Sequence, residues 1–170
     1  MKKLILIALI SIVTFSSCNE KTEKKEVVST YYLIRHAEKN RTDPSNHNPD
    51  LIDAGLKRAE NWAKHFKDIK FDAVYSTDYN RTKQTALPTA KQNNVEIQLY
   101  NPSDLDIAAF KEKTKGKTVL IVGHSNTTPK FANRLLGEEK YDDMADDNNG
   151  GLYIITVSKS GKTAESLVVN

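Results

Sequence analysis

The sequence predicts an α/β domain, a three-layer α/β/α sandwich around a mostly parallel central sheet. Three observations carry that expectation. Short β-branched or aromatic segments alternate with segments of helical periodicity. Residues 118–122 (TVLIV) are nearly all β-branched or aliphatic, as expected of a central strand covered on both faces. The length of 170 residues suffices for one such domain and not for two.

The first residues have a different character. Lys2 and Lys3 precede an apolar run from Leu4 to Ile10 that continues through Ile12 and Val13 to Phe15, and Ser16, Ser17 and Cys18 follow. The run is too short to cross a bilayer comfortably, and its charged start and small-residue end are those of a secretory signal. Small residues before a lone cysteine resemble the lipobox of bacterial lipoproteins, in which the cysteine thiol is acylated and becomes the new N-terminus. The expected organisation is a signal peptide over residues 1–17, a flexible tether over 18–26, and one domain over 27–170. The chain would then sit in the bacterial cell envelope, periplasmic or on the outer surface, attached to the membrane by lipid on Cys18. An ordinary secreted protein with a chance cysteine is the alternative. Cys18 is the only cysteine, so the exported chain forms no internal disulfide.

Within the domain, residues 29–34 (STYYLI) read as a first strand ending at Arg35 and His36. Residues 40–49, rich in Asn, Asp, Pro and Ser, read as a loop. Asp53 is a candidate cap for a helix with Leu56, Ala59, Ala63 and Phe66 on one face. A short strand over 73–76 leads to Asp78, which can cap a second helix running through Arg81 to about Gln92. Residues 95–99 form a third strand and 105–113 a short helix that Gly116 ends. The strand over 118–122 stops at Gly123-His124-Ser125. Pro129 lies early in a following helix whose Phe131, Ala132, Leu135 and Leu136 share a face. Residues 138–150 are acidic and irregular, and 138–147 among them form a solvated loop or a lid. Strands over 152–157 and 164–168, joined by a turn at Ser160-Gly161, complete the chain.

Charge excludes little and promises little. The formal net charge is +3, and taking Lys2 and Lys3 from the 25 basic residues leaves 23 against 22 acidic ones. Nothing in that balance calls for nucleic acid, so anion binding has to come from a local cluster. Ligands of such sheets bind beyond the carboxyl ends of the strands. Arg35 and His36, Arg81, and His124 all follow predicted strand ends, so residues far apart in sequence converge there.

Those residue types suit a phosphate monoester. The dianion needs donors around its non-bridging oxygens, a nucleophile in line with the leaving oxygen, and a proton source for that oxygen. Arginine supplies a planar fork of donors, and a neutral imidazole can attack phosphorus. Residues 32–38 (YLIRHAE) resemble the Arg-His-Gly signature of the histidine phosphatase superfamily, also called phosphoglycerate-mutase-like, with Ala37 in place of glycine. Residues 51–59 resemble its Leu-Thr-x-x-Gly-x-x-x-Ala segment. Residues 75–86 (YSTDYNRTKQTA) resemble its Ser-x-x-x-Arg-x-x-Gln-Thr-Ala segment, and residues 122–125 its second histidine motif.

The resemblance implies a phosphoglycerate-mutase-like fold, no cofactor and no metal. It implies His36 as the nucleophile that becomes phosphohistidine, and Arg35, Arg81 and His124 as ligands of the phosphoryl group. For the proton donor it leaves Glu38, slightly favoured, and Asp104. Asn40 and Ser125 are weaker substrate-binding candidates, and the methyl of Ala37 is expected to narrow the pocket floor. His47 and His65 read as surface residues. The short chain favours hydrolysis over phosphomutase chemistry and a small or medium-sized phosphorylated substrate outside the cytoplasm, with no obligate protein partner. The competing reading is a lipoprotein that binds phosphate or a phospho-ligand and turns it over weakly or not at all.

Overall fold

The computed structural model describes residues 26–169. The expected signal peptide, Cys18 and all of the tether but Glu26 lie outside the described residues.

Ten elements follow one another: β1 (Ser29–Arg35), α1 (Asp53–His65), β2 (Ala73–Ser76), α2 (Asn80–Gln92), β3 (Ile97–Leu99), α3 (Ile107–Lys113), β4 (Thr118–Gly123), α4 (Thr127–Leu136), β5 (Gly151–Val157) and β6 (Lys162–Val168). The strands form one sheet in the order β3-β2-β4-β1-β5-β6. β1 pairs with β4, β4 with β2 and β2 with β3, all in parallel. β5 runs antiparallel to both β1 and β6, so it alone is reversed and the sheet is mostly parallel, as expected.

Alternation along the strands sorts side chains between the two helical layers. Tyr31, Leu33, Tyr75, Val119 and Ile121 face α3 and α4, packing on Phe110, Phe131 and Leu135. Ile34, Val74, Leu120 and Val122 face α1 and α2, packing on Trp62, Phe66, Ala86 and Ala90. Both faces of β1, β2 and β4 are covered, which explains the unbroken apolar run of β4. Among the described residues, no helix is long and apolar enough to cross a membrane.

Three local expectations are corrected. Asp53 is the first helical residue, not the cap; Ile52 takes that place without a side-chain hydrogen bond. Asp78 caps nothing either, because Tyr79 is the residue before α2 and the Asp78 carboxylate pairs with Lys83 at 2.6 Å. Leu56 is exposed, since the buried face of α1 runs through Gly55, Ala59, Trp62 and Ala63. Gly55 faces inward because α1 crosses the backbone of Glu38 closely: a Cβ there would stand 2.3 Å from the Glu38 carbonyl oxygen.

Candidate active site

β2, β4 and β1 are neighbours in the sheet and end side by side, and the residues after their ends form the site. The His36 amide donates to the Gly123 carbonyl at 2.9 Å and the Thr77 amide to that of Val122 at 3.3 Å, which continues the ladder one residue past the strands. A cavity of about 440 Å³ opens above them, lined by Arg35, His36, Arg81 and His124, with Lys39, Tyr79, Ser125 and Asp146 around it. The four residues read from the motifs therefore meet at one place.

His36 is buried. Its Nδ1 lies 2.7 Å from the Ala37 carbonyl oxygen, which can only accept, so Nδ1 carries the ring proton and the Nε2 lone pair is bare. Burial, and behind it the charges of His124, Arg35 and Arg81, lower its pKa to about 3 against the opposing hydrogen bond to Ala37. The ring is thus neutral, the form in which an imidazole is a nucleophile. The His124 ring lies 5.4 Å away between centroids, tilted by 67°. Burial, then Arg81, Lys39 and Arg35, lower its pKa to about 4.

Both arginines are buried, and among the described residues the Nε–H of each lacks a hydrogen-bond partner. Such orphan donors are rare in proteins, and both belong to side chains that line the cavity. Arg81 lies over the Tyr79 ring at 4.3 Å, and burial lowers its pKa, though a guanidinium keeps its charge in proteins. Arg35 donates through Nη1 to the carbonyls of Ala145 and Asp146, both at 2.9 Å, and through Nη2 to the Asp146 carboxylate at 3.0 Å. The acidic segment 138–150 is therefore folded against the site and not merely solvated. Its Met144 amide also donates to the Ser125 carbonyl at 2.8 Å.

The Gln-Thr-Ala segment of α2 holds the loop after the nucleophile. Thr85 Oγ1 accepts from the Ala37 amide at 2.9 Å, and Gln84 Oε1 accepts from the Leu51 amide at 2.7 Å. Ala37 departs from its expected place: its methyl packs with Leu51 and Ala59, away from the cavity floor, because the backbone turns it inward beneath α1.

The two proton-donor candidates are poorly placed. Glu38 receives Arg58 Nε at 2.8 Å and Arg58 Nη2 at 2.7 Å. Burial raises the Glu38 pKa, but the hydrogen bonds and charge of Arg58 outweigh it and hold the carboxyl below its ordinary value. Glu38 borders a second cavity of about 880 Å³ beside His36. Asp104 is exposed and does not line the cavity at His36, which the preceding Asn101, Pro102 and Ser103 reach instead. The carboxylate that does line it is Asp146. Asn40 borders the larger cavity, but its Oδ1 accepts from the amide and hydroxyl of Thr42 at 2.9 and 2.8 Å, so it closes its own turn. His47 and His65 are exposed.

Sequence reasoning passed over Asp146, Thr77, Tyr79, Lys39 and Arg41. Tyr79 and Thr77 lie inside the motif around Arg81, which was the one available signal. Asp146 sits in an acidic stretch where nothing distinguishes it from its neighbours.

Residues 31–101 match the family model described as Histidine phosphatase superfamily (branch 1), a span from β1 through β3 that includes His36 and Arg81. A search of curated proteins finds no match to the chain. Among solved structures, the chain is similar to phosphoglycerate mutase from Bacillus anthracis str. Sterne, at 17% identity over 84% of this chain and 93% of that one, with TM-score 0.63. It is similar to phosphoserine phosphatase from Entamoeba histolytica in complex with 3-phosphoglyceric acid, at 19% identity over 84% and 98%, with TM-score 0.60. It is also similar to the protein histidine phosphatase SixA complexed with tungstate, at 14% identity over 82% and 96%, with TM-score 0.64. Identities this low show the fold, which is phosphoglycerate-mutase-like.

Proposed function

We propose that this chain is a member of the histidine phosphatase superfamily that hydrolyses phosphate monoesters, without a metal ion, through a phosphohistidine on His36. The observation that carries the reading is the state of that side chain: a buried, neutral imidazole with its proton on Nδ1 and its Nε2 free, beside two buried arginines whose Nε–H groups have no acceptor. Nε2 attacks phosphorus, the bond to the leaving oxygen breaks, and the alcohol departs with a proton taken from solvent. Water then attacks the phosphohistidine and releases phosphate. Arg35, Arg81 and His124 hold the three non-bridging oxygens, and the two guanidinium groups, fixed in a partly buried site, stabilise the developing charge. The family match over residues 31–101 supports the reading.

The substrate is a small or medium-sized phosphorylated molecule, since the cavity at His36 is modest and opens toward the larger one. Anchoring through lipid on Cys18 in the cell envelope completes the proposal and places that substrate outside the cytoplasm; it includes no nucleic acid and no obligate protein partner. The second reading, a phospho-ligand-binding protein with little or no turnover, draws on one feature: Arg58 occupies Glu38, so the favoured acid is not free to protonate a leaving group.

Hydrolysis of an aryl phosphate in EDTA by wild type and His36→Ala, with acid-labile phosphoenzyme trapped by rapid quenching, tests both. Turnover that persists in EDTA, disappears with His36→Ala and passes through phosphate on His36 supports the phosphatase. Phosphate binding without turnover supports the binding protein, and turnover that requires a metal overturns the mechanism.

A further inference from the structure

The two facing imidazoles carry their protons on opposite nitrogens. For His36 the Ala37 carbonyl decides it. For His124 the decision comes from a chain of hydroxyls. His124 Nε2 lies 2.9 Å from Thr77 Oγ1, a contact that either atom can donate. Thr82 Oγ1, next along, lies 2.9 Å from the carbonyl oxygens of both Thr77 and Tyr79, so its single proton goes to them. The 3.1 Å contact between the two hydroxyls is then filled by the Thr77 proton. Thr77 Oγ1 has only lone pairs left for the imidazole, so Nε2 carries the His124 proton and Nδ1 is bare. Thr77 and Thr82 are 2% and 0% exposed, which keeps water from supplying alternative partners.

A bare Nδ1 cannot donate to a phosphoryl oxygen. Among the described residues no hydrogen bond reaches His124 Nδ1, and the ring lines the cavity at His36. The groups facing it are Arg35 and His36 beyond β1, Lys39 in the following loop, Tyr79 and Arg81 at the start of α2, and Asp146 from the segment after α4. With the cavity empty, burial and the three cations keep the ring neutral. A phosphate dianion among them reverses the sign of the local field and favours imidazolium.

We propose that Thr77, itself held by Thr82, is a positioning residue that fixes His124 as the Nε2–H tautomer, so that phosphate binding draws one proton onto Nδ1 and makes His124 a donor to a phosphoryl oxygen. The proton comes from solution or from the ligand's monoanion and leaves with the phosphate, so an N–H bond on Nδ1 forms and breaks and no bond between heavy atoms changes. The proton-uptake half rests on the phosphate-site reading above, whereas the tautomer does not.

The test is long-range ¹H–¹⁵N correlation spectroscopy on the ¹⁵N-histidine-labelled full chain in detergent, with His124 assigned by His124→Gln and inorganic phosphate as the probe. The expected result near neutral pH is an Nε2–H tautomer for His124 in the free protein and an imidazolium pattern at saturating phosphate. Thr77→Val is expected to give a mixture of tautomers and to lower kcat/KM for an aryl phosphate about tenfold, with Thr77→Ser restoring both. If Thr77→Val does not fold, Thr82→Ala serves, because it frees the Thr77 proton to turn toward His124 and mixes the tautomers in the same way. An Nδ1–H tautomer in wild type, or an unchanged pure Nε2–H tautomer in the variants, overturns the positioning role. Phosphate that shifts His36 but leaves His124 neutral overturns the proton uptake. Phosphate that shifts neither overturns the phosphate-site reading and leaves the Thr77 role to stand on the tautomer alone.

Discussion

Arg35 and Asp146 form an ion pair of 3.0 Å in which the arginine side chain is 3% exposed and the carboxylate 75%. Asp146 also meets Arg41 at 3.0 Å, and these two arginines hold its carboxyl below the ordinary range, so it is ionised at neutral pH. A carboxylate therefore rests on one of the arginines that a phosphate needs. Asp146→Asn is expected to lower the inhibition constant of inorganic phosphate about two- to fivefold, the scale of a partly exposed pair, and the gain is expected to shrink in high salt. The Arg35 bonds to the Ala145 and Asp146 carbonyls survive the change and keep the loop in place. Weaker phosphate inhibition in the variant would mean that Asp146 assists the site.

Glu38 was the favoured acid on sequence, and its bond to Arg58 argues for a structural role. Glu38→Gln is expected to keep kcat for a substrate with a poor leaving group within about threefold of wild type, well short of the hundredfold or more that a general acid contributes. Steady-state rates with an alkyl phosphate measure this, since an aryl leaving group hardly needs protonation. A hundredfold fall would return the acid role to Glu38.

Two neutral histidines make stability depend on pH in a definite direction. His36 and His124 have pKa values of about 3 and 4 in the fold, well below the ordinary 6.5 of an exposed imidazole. Below pH 6.5 the unfolded chain binds protons at these rings that the folded chain does not, so stability falls with a slope of up to one proton per pH unit for each ring, down to about pH 4 for His124 and about pH 3 for His36. Above pH 7 neither ring contributes a slope. Urea midpoints measured at pH 7 and pH 5 are expected to differ by less in His36→Asn than in wild type, and an equal difference would place a charged His36 in the fold.

Gly55 marks where α1 passes over the nucleophile loop. A Cβ there would stand 2.3 Å from the Glu38 carbonyl oxygen and 3.0 Å from its amide nitrogen, and backbone atoms cannot step aside as a flexible side chain can. Gly55→Ala would gain about 1 kcal/mol of helix propensity, yet the forced shift outweighs it. The expected net loss is about 2 kcal/mol, read as a fall in Tm, with kcat falling too because residues 38 and 36 move together. A rise in Tm would show that the helix slides without cost.

Alternating strand and helix patterns, and the apolar run of β4, were enough to read the layers and most of the element order. The motifs around His36, Arg81 and His124 were enough to name the quartet, because each follows a strand end and parallel strands end on the same edge. Boundaries were less legible. Asp53 and Asp78 look like caps, but tertiary contacts start each helix elsewhere: Asp78 pairs with Lys83, and Tyr79 sits against Arg81 and His124.

The linear sequence by itself determined the fold class, the sheet core and the residues that meet at the carboxyl edge, because periodicity and motif order are local properties of the chain. Tertiary structure alone decided which carboxylate reaches Arg35, that Arg58 occupies Glu38, and on which nitrogen each imidazole carries its proton. The two carboxylate contacts and the His124 tautomer depend on partners 20 to 111 residues away, such as Arg58 for Glu38, Thr77 for His124 and Asp146 for Arg35, while His36 takes its proton position from the adjacent Ala37 carbonyl only because the loop folds and buries the ring there.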